Sequence, residues 1–180
     1  MKKINEIFYS IQGEGYFTGT PVIFIRFSGC NIKCPFCDTD HKESKMLSDE
    51  QIIAEIEKYP AKHVVLTGGE PSLFIDSNFI EKLHQSGFFV QIETNGTKEL
   101  PDNIDWVTFS PKHVPAVLEK SNEIKVVYTG QDMHEYSQFN TEHYYLQPCS
   151  GKNTEEVINF IMMNPQWKLS LQTHKLLNIQ

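Results

Sequence analysis

Short apolar runs rich in β-branched residues alternate with amphipathic stretches along this chain, and this alternation restricts its fold most. The predicted strands are residues 22–27, 63–67, 88–94, 106–109, 124–128, 143–146 and 168–171. Several of these runs are apolar throughout, which is typical of strands in a sheet that is covered on both faces. The pattern therefore predicts parallel β-α-β units.

Three segments predict helices between these strands: residues 48–58, 76–85 and 154–162. Ser48 followed by Gln51 has the spacing of a capping box, which is a helix start. Pro60 ends the first predicted helix, and Gly87 ends the second.

The length of the chain limits how far the β-α-β pattern can extend. The chain has 180 residues, whereas a complete eight-unit barrel takes about 250. We therefore expect an α/β fold with a partial, open (β/α) barrel and reduced helices, in one domain over residues 1–180. Functional residues of such folds follow the carboxyl ends of the strands. Strand edges left open by the reduction could pair across a homodimer.

Charge and hydropathy argue against several classes of function. The formal net charge is −7, and an acidic chain without a basic run is poorly suited to nucleic acid. No apolar run approaches the roughly 20 residues of a membrane span. The amino-terminal residues lack the apolar segment of a secretory signal. We expect a cytoplasmic protein.

Three of the four cysteines lie close together. Cys30, Cys34 and Cys37 follow the predicted strand at residues 22–27, and Cys149 is far away. Clustered cysteines in a cytoplasmic chain indicate a metal site rather than disulfides. Three thiolates could bind a [4Fe–4S] cluster and leave one iron open. A zinc site completed by His41 or Cys149 and a set of inert thiols are the alternatives.

Polar motifs follow four other predicted strands: GGEP at residues 68–71, ETNGT at 93–97, SPK at 110–112 and QPCS at 147–150. Glycines at a strand end let a ligand approach the backbone. Each of the first three motifs, taken alone, is also compatible with an ordinary surface turn. Because all four follow predicted strands, we expect them to lie at the same end of the barrel as the cysteines.

The cysteine spacing, with Phe36 before the last cysteine, resembles that of the radical S-adenosylmethionine (SAM) superfamily. The resemblance implies a barrel of the radical SAM type and a [4Fe–4S] cluster on Cys30, Cys34 and Cys37. One electron then cleaves SAM to a 5′-deoxyadenosyl radical, which abstracts hydrogen. The SAM-binding residues implied are Phe36, Cys37, Asp38, Gly69, Glu93, Ser110, Pro111, Lys112, Gln147, Pro148, Cys149 and Ser150. Cys149 departs from the common pattern, and we interpret it as a buried thiol near SAM rather than a cluster ligand.

Three further segments are similar to the 7-carboxy-7-deazaguanine synthases: residues 5–15, the CDT sequence at 37–39 and the LQTHK sequence at 171–175. This resemblance covers essentially the whole chain. It implies conversion of 6-carboxy-5,6,7,8-tetrahydropterin to 7-carboxy-7-deazaguanine with loss of ammonia, on the way to queuosine and other 7-deazapurines. Hydrogen would leave C6 of the substrate and return after rearrangement, which regenerates SAM. The family also implies Mg²⁺ and an electron donor of the flavodoxin or ferredoxin type.

The same resemblance implies which residues bind the substrate and magnesium. Thr39 would bind Mg²⁺, a cation that prefers oxygen ligands. Arg26 offers a planar donor fork for a carboxylate or a ring carbonyl, and Glu14 can accept from the pterin. The implied substrate-binding residues are Ile11, Gln12, Gly13, Glu14, Arg26, Thr67, His174 and Gln180, the last through its terminal carboxylate. No residue is assigned a catalytic role with these.

Two other functions remain as alternatives. The first is a radical SAM activase that installs a glycyl radical on a partner protein, and the second is a zinc-binding module without catalysis. Activity on the free pterin distinguishes the synthase from the activase. A brown protein after anaerobic reconstitution distinguishes an iron–sulfur protein from the zinc module.

Overall fold

Nine strands form one sheet in the computed structural model, which describes residues 1–35, 37, 44–112 and 115–179. The strands are β1 (Lys2–Ile11), β2 (Pro21–Phe27), β3 (Lys45–Leu47), β4 (His63–Gly68), β5 (Phe89–Thr94), β6 (Trp106–Phe109), β7 (Lys120–Tyr128), β8 (Asn140–Pro148) and β9 (Trp167–Leu169). Their order across the sheet is β3-β1-β2-β4-β5-β6-β7-β8-β9. The sheet is open, with β3 at one edge and β9 at the other, which confirms the predicted partial barrel.

Five α-helices occur in the described ranges: α1 (Asp49–Ile56), α2 (Ser77–Gln85), α3 (His134–Ser137), α4 (Thr154–Met163) and α5 (Thr173–Leu177). Short 3₁₀ turns span Pro71–Leu73 and Cys149–Gly151. The predicted capping box is present, since Gln51 N–H donates to Ser48 Oγ and Ser48 N–H donates to Gln51 Oε1. The three predicted helices are confirmed, although α1 ends at Ile56, before Pro60.

Strand direction differs from the all-parallel expectation at one side of the sheet. β2 and β4 to β9 are parallel, whereas β1 runs antiparallel to both β2 and β3. We did not predict β1 or β3 as strands. The residues of β1 mix polar and apolar types, and β3 has only three residues, so neither segment gives a clear apolar run.

The apolar core lies between the sheet and its helices. One part packs β1, β2, β4 and β5 against α1 and α2, and its centre includes Ile25, Leu66 and Phe79. The other part packs β7, β8 and β9 against α4, around Ile124, Leu146 and Trp167. Because side chains alternate along a strand, the residues between these core positions face the opposite, concave side of the sheet.

Aromatic rings fill the concave side near the amino-terminal ends of the strands. Tyr16 stacks on His143 and packs at a tilt on Trp106, with ring centroids 4.6 and 4.7 Å away. Phe17 packs edge-on against His63 and Trp106. These rings cover the concave side at the amino-terminal ends of the strands, so the space left for a ligand lies at the carboxyl ends. No helix in the described ranges has the length and apolar character needed to cross a membrane.

Candidate active site

A cavity of about 530 Å³ lies at the carboxyl ends of the parallel strands. Among the predicted site residues, those lining it are Ile11, Gln12, Glu14, Arg26, Cys30, Cys34, Cys37, Thr67, Gly69, Glu93, Ser110, Lys112, Gln147, Pro148, Cys149, Ser150 and His174. Two predicted residues, Gly13 and Pro111, are beside the cavity in sequence but are not part of its lining. The predictions for Phe36, Asp38, Thr39 and Gln180 lie outside the described residues.

The cysteine loop begins directly after β2 and faces this cavity. Cys30 and Cys37 are exposed, and Cys34 is half-buried. Burial raises the pKa of the Cys34 thiol, nearby Lys112 opposes this rise, and Cys30 and Cys37 add to it. All three cysteines line the same cavity. The charge of Lys112 favours the thiolate of Cys34, and the thiolate is the form that binds metal.

The GGEP motif fixes the start of the cysteine loop. Gly69 N–H donates to Phe27 O at 3.0 Å, and Glu70 N–H donates to Gly29 O at 2.9 Å. A Cβ on Gly69 would collide with the backbone carbonyl of Gly29. The approach of the two backbones therefore requires a glycine at this position.

Glu70 braces this region from inside. Its side chain is 1% exposed and accepts bonds from Ser72 N–H, Thr94 Oγ1–H and Asn95 N–H, at 3.1, 2.7 and 2.7 Å. The carboxylate thus joins the turn after β4 to the end of β5. We quoted Glu70 in the motif but did not predict this role, which depends on contacts with a distant strand.

The three loop thiols line one cavity, and the chemistry of such a donor set suits an iron–sulfur cluster. Within the described ranges, no three Cys, His, Asp or Glu side chains are gathered so as to hold a single metal ion. An iron–sulfur cluster is bound at separate iron atoms, each by its own thiolate. Cys30, Cys34 and Cys37 at the rim of the cavity fit that kind of ligation.

Cys149 lines the same cavity, directly after β8. It is half-buried rather than fully buried as we expected. Its backbone N–H donates to Asn153 Oδ1 at 2.8 Å, which fixes the end of β8. The residue after it, Ser150, has a left-handed backbone with φ of 51°. This local geometry turns the chain around the rim of the cavity.

A buried ion cluster forms the polar floor of the cavity. Lys125 Nζ lies 2.6 Å from Glu14 Oε2 and 3.3 Å from Glu93 Oε1. Burial alone would raise the pKa of Glu14, but the charge and hydrogen bond of Lys125 lower it well below its ordinary value. Burial would lower the pKa of Lys125, but the two carboxylates raise it. Glu14 and Lys125 therefore exist as a buried ion pair.

Sequence reasoning missed Lys125, although a signal was present. Glu123 and Lys125 alternate in β7 with Ile124 and Val126, which are 0% and 1% exposed. Charged residues with that alternation in an inner strand indicate that the opposite face is polar and functional. Glu123 is also buried, and it accepts from Thr108 Oγ1–H and Tyr16 N–H. Its burial raises its pKa.

The carboxyl-terminal segment closes one side of the floor. Thr173 donates through both its N–H and its hydroxyl to Gly13 O, each at 3.0 Å. Gln172 Nε2 donates to Glu14 Oε1 at 2.9 Å. A Cβ on Gly13 would collide with the His174 ring. The loop after β1 and the segment before α5 are therefore docked on each other, which places His174 beside the predicted substrate residues.

Arg26 in β2 and Thr67 in β4 line the same cavity. Arg26 Nε–H donates to Glu6 Oε1 at 2.8 Å, and its guanidinium lies 5.6 Å from the centre of the Phe8 ring. Thr67 Oγ1–H donates to Glu93 Oε2 at 3.5 Å. Both side chains therefore have a fixed position at the cavity.

Lys112 and Gln147 complete the polar lining on the other side. Burial lowers the pKa of Lys112, and the charge of Lys125 lowers it further. Gln147 Nε2 donates to Glu14 Oε1 at 3.3 Å and its Oε1 accepts from Ser170 Oγ at 3.2 Å. Lys112, after β6, and Gln147, at the end of β8, thus both lie near the Glu14 carboxylate.

Comparison with known proteins gives a consistent family relationship. The model of the radical SAM superfamily matches residues 24–163. A 7-carboxy-7-deazaguanine synthase of Bacteroides thetaiotaomicron is 58% identical over 181 residues, which is 100% of both chains. The synthase of Burkholderia multivorans is 39% identical over 98% of each chain. The crystal structure of QueE from Escherichia coli has a TM-score of 0.80 and 35% identity, and the match covers 94% of this chain and 93% of that one.

Proposed function

The chain belongs to the 7-carboxy-7-deazaguanine synthase family of the radical SAM superfamily, and from this premise we propose its reaction and site. It converts 6-carboxy-5,6,7,8-tetrahydropterin to 7-carboxy-7-deazaguanine with loss of ammonia, a ring contraction in queuosine biosynthesis. The observation that carries the proposal is one cavity with the cysteine loop at its rim and the Glu14–Lys125–Glu93 cluster at its floor.

The [4Fe–4S] cluster and SAM are the cofactors of the superfamily, and Cys30, Cys34 and Cys37 are the residues that would hold the cluster. When bound, they supply the one-electron cleavage that starts the radical reaction. The backbone at Gly69 and the polar side chains of Glu93, Ser110 and Lys112 would orient SAM, with Pro111 shaping their turn. The segment from Gln147 through Pro148 and Cys149 to Ser150 would form the opposite side.

The pterin substrate would bind on the Glu14 side of the cavity. The ring edge presents N–H donors, and Glu14 is an ionised acceptor at that wall. The backbone of Ile11, Gln12 and Gly13 lies beside it and would complete the recognition of the ring. Arg26 would bind the substrate carboxylate through its planar donors, and Thr67 would contact the ring from β4.

The remaining family residues extend this assignment. Thr39 would provide a hard oxygen ligand to Mg²⁺ next to the substrate carboxylate. His174 would approach the substrate from α5, because its ring already packs on Gly13. The terminal carboxylate of Gln180 would add a further acceptor. Phe36 and Asp38 would contact SAM from the cysteine loop.

The protein would act as one radical SAM domain in the cytoplasm, with a flavodoxin or ferredoxin as electron donor. A homodimer would use the open edges of the sheet. β3 and β9 are the two edge strands, and an edge strand presents backbone groups that a second copy could pair with.

The decisive experiment is anaerobic reconstitution with iron and sulfide, followed by incubation with the carboxytetrahydropterin, SAM and a reductant. We expect 7-carboxy-7-deazaguanine and ammonia in equal amounts, with SAM regenerated. Mass spectrometry of the product mixture measures this directly. A reconstituted brown enzyme that leaves the pterin unchanged but cleaves SAM would contradict the proposed reaction and favour an activase.

A further inference from the structure

Lys125 has no part in the assignments above, although it lies at the centre of the floor. Its side chain is 5% exposed and contacts the carboxylates of Glu14 and Glu93. Glu14 belongs to the loop after β1 and Glu93 to β5, so only the folded chain brings the two carboxylates together. A cation between buried carboxylates offsets their desolvation and their mutual repulsion.

Neutral amides complete the contacts of this cluster. Gln12 Nε2 donates to Glu93 Oε1 at 3.1 Å, and its Oε1 accepts from Glu14 N–H at 3.2 Å. Gln147 and Gln172 donate to the other oxygen of Glu14. These amides orient the carboxylates but carry no charge. Lys125 brings a cation into direct contact with Glu14, at 2.6 Å.

The other titratable groups facing the Glu14–Lys125 pair do not replace this charge. They come from β5, β7, the turn after β6 and α5, and they are Glu93, Glu123, Lys112 and His174. Two of them are anions when ionised. Burial raises the pKa of Glu123 and lowers the pKa of Lys112, so it favours the neutral form of each. His174 affects Glu14 less than Lys125 does.

We propose that Lys125 is a positioning residue for the substrate, which holds the Glu14 carboxylate in the orientation that accepts the pterin N–H groups and links it to Glu93 on the SAM side. The inference rests on the proposed function, because it takes Glu14 as the pterin acceptor. One buried cation would then connect the substrate side and the cofactor side of the cavity.

Replacing Lys125 by a neutral residue leaves two buried carboxylates on the same amide network. Burial and mutual repulsion would then raise the pKa of Glu14. The protonated acid is a hydrogen-bond donor at one oxygen and cannot accept from the pterin there. Substrate binding by the variant should therefore weaken as pH falls, which a loss of packing alone would not produce.

The test measures the dissociation constant of the pterin on reconstituted enzyme without reductant, so that no turnover occurs. Lys125→Met is compared with the unaltered enzyme from about pH 8.5 to about pH 5.5, and the ratio of the two constants should grow by up to about tenfold per pH unit. For Lys125→Arg, which keeps the positive charge, the ratio of its dissociation constant to that of the unaltered enzyme should not change with pH. If the ratio for Lys125→Met also stays constant with pH, the proposal is overturned.

Lys82→Met is the matched control. Lys82 also contacts two carboxylates, Asp49 and Glu50, at 3.0 and 2.8 Å, but on the helix side of the sheet. Its removal should leave pterin binding unchanged at every pH. A pH-dependent loss of equal size in Lys82→Met would indicate a general charge effect and overturn the proposal.

Carbon-13 NMR of the glutamate carboxyl groups gives a readout that does not depend on the substrate. With the Glu14 resonance assigned from Glu14→Gln, it should titrate in Lys125→Met and Lys125→Gln over the same pH range and not in the unaltered protein. An unchanged resonance overturns the role of Lys125. Failure of the unaltered enzyme to bind or convert the pterin, with this NMR difference present, would instead refute the proposed function.

Discussion

At the scale of single residues, the four cysteines show how the same side chain serves different purposes. Three belong to one loop after β2, while Cys149 follows β8 on another part of the cavity lining and is positioned through its backbone bond to Asn153. A cluster bound by three thiolates keeps one iron open for SAM. A fourth protein ligand would remove that open position.

This difference gives a direct prediction for iron content. Cys34→Ala should lose the cluster and all activity, since the three loop thiolates are needed together. Cys149→Ala should retain iron and sulfide close to the amounts of the unaltered protein. Iron and sulfide analysis after anaerobic reconstitution measures both variants, and a cluster lost in Cys149→Ala would contradict the ligand assignment.

At the scale of the elements, the loops carry the chemistry and the helices hold the strands in register. α2 packs Phe79, Ile80 and Leu83 into the core behind β4 and β5. Its start is fixed by Asp76, whose carboxylate accepts from Phe79 N–H at 2.8 Å. The GGEP motif and the end of β5 both lie at the carboxyl ends of the strands that this helix covers.

We expect Asp76→Ala to destabilise the protein by about 1 kcal/mol, the usual cost of losing an N-cap side chain. Urea unfolding measures the change in the free energy of unfolding. Ser77→Ala is the control, since Ser77 is exposed and lies inside the helix rather than at its cap, and surface changes of that kind alter stability by at most about 0.5 kcal/mol. Equal losses in the two variants would exclude the capping role.

At the scale of the whole molecule, the Glu14 region joins parts of the chain that are far apart in sequence. Glu14 in the loop after β1 contacts Lys125 in β7, Gln147 in β8 and Gln172 before α5. These contacts lie on the concave side of the sheet, where the start of α5 docks on the loop after β1. They therefore hold distant segments of the chain together around one carboxylate.

The stability contribution of Glu14 should depend on pH in a defined direction. Burial alone raises its pKa, but Lys125 lowers it from the model-compound value of 4.5 to about 2. A lowered pKa in the folded state stabilises the protein above the unfolded pKa, and this contribution is lost as pH falls toward the folded pKa. The difference in unfolding free energy between the unaltered protein and Glu14→Gln should therefore be largest near neutral pH and shrink below about pH 4.5.

Urea unfolding at several pH values measures that difference. Glu50→Gln serves as a comparison, because Glu50 also has a lowered pKa but is fully exposed on α1, where solvent screens its contacts. A Glu14→Gln difference that is independent of pH would contradict the ionised, Lys125-paired state of Glu14.

The local patterns of the sequence determined the parallel strands, the three principal helices, the capping box of α1 and the common end at which the strand-end motifs lie. These features follow from hydrophobic periodicity, from capping chemistry and from the rule that parallel strands present their carboxyl ends together. The cysteine spacing likewise indicated the cluster loop. Each of these signals is contained within a few neighbouring residues.

Tertiary structure alone decided which polar residues meet on the concave side. Lys125, Gln172 and the bracing role of Glu70 were not predicted, because each depends on partners that are distant in the sequence. β1 and β3 were missed for a related reason, since their pairing is antiparallel and one of them is very short. A charged side chain such as Lys125 can be buried in a strand only because folding places the carboxylates of Glu14 and Glu93 beside it.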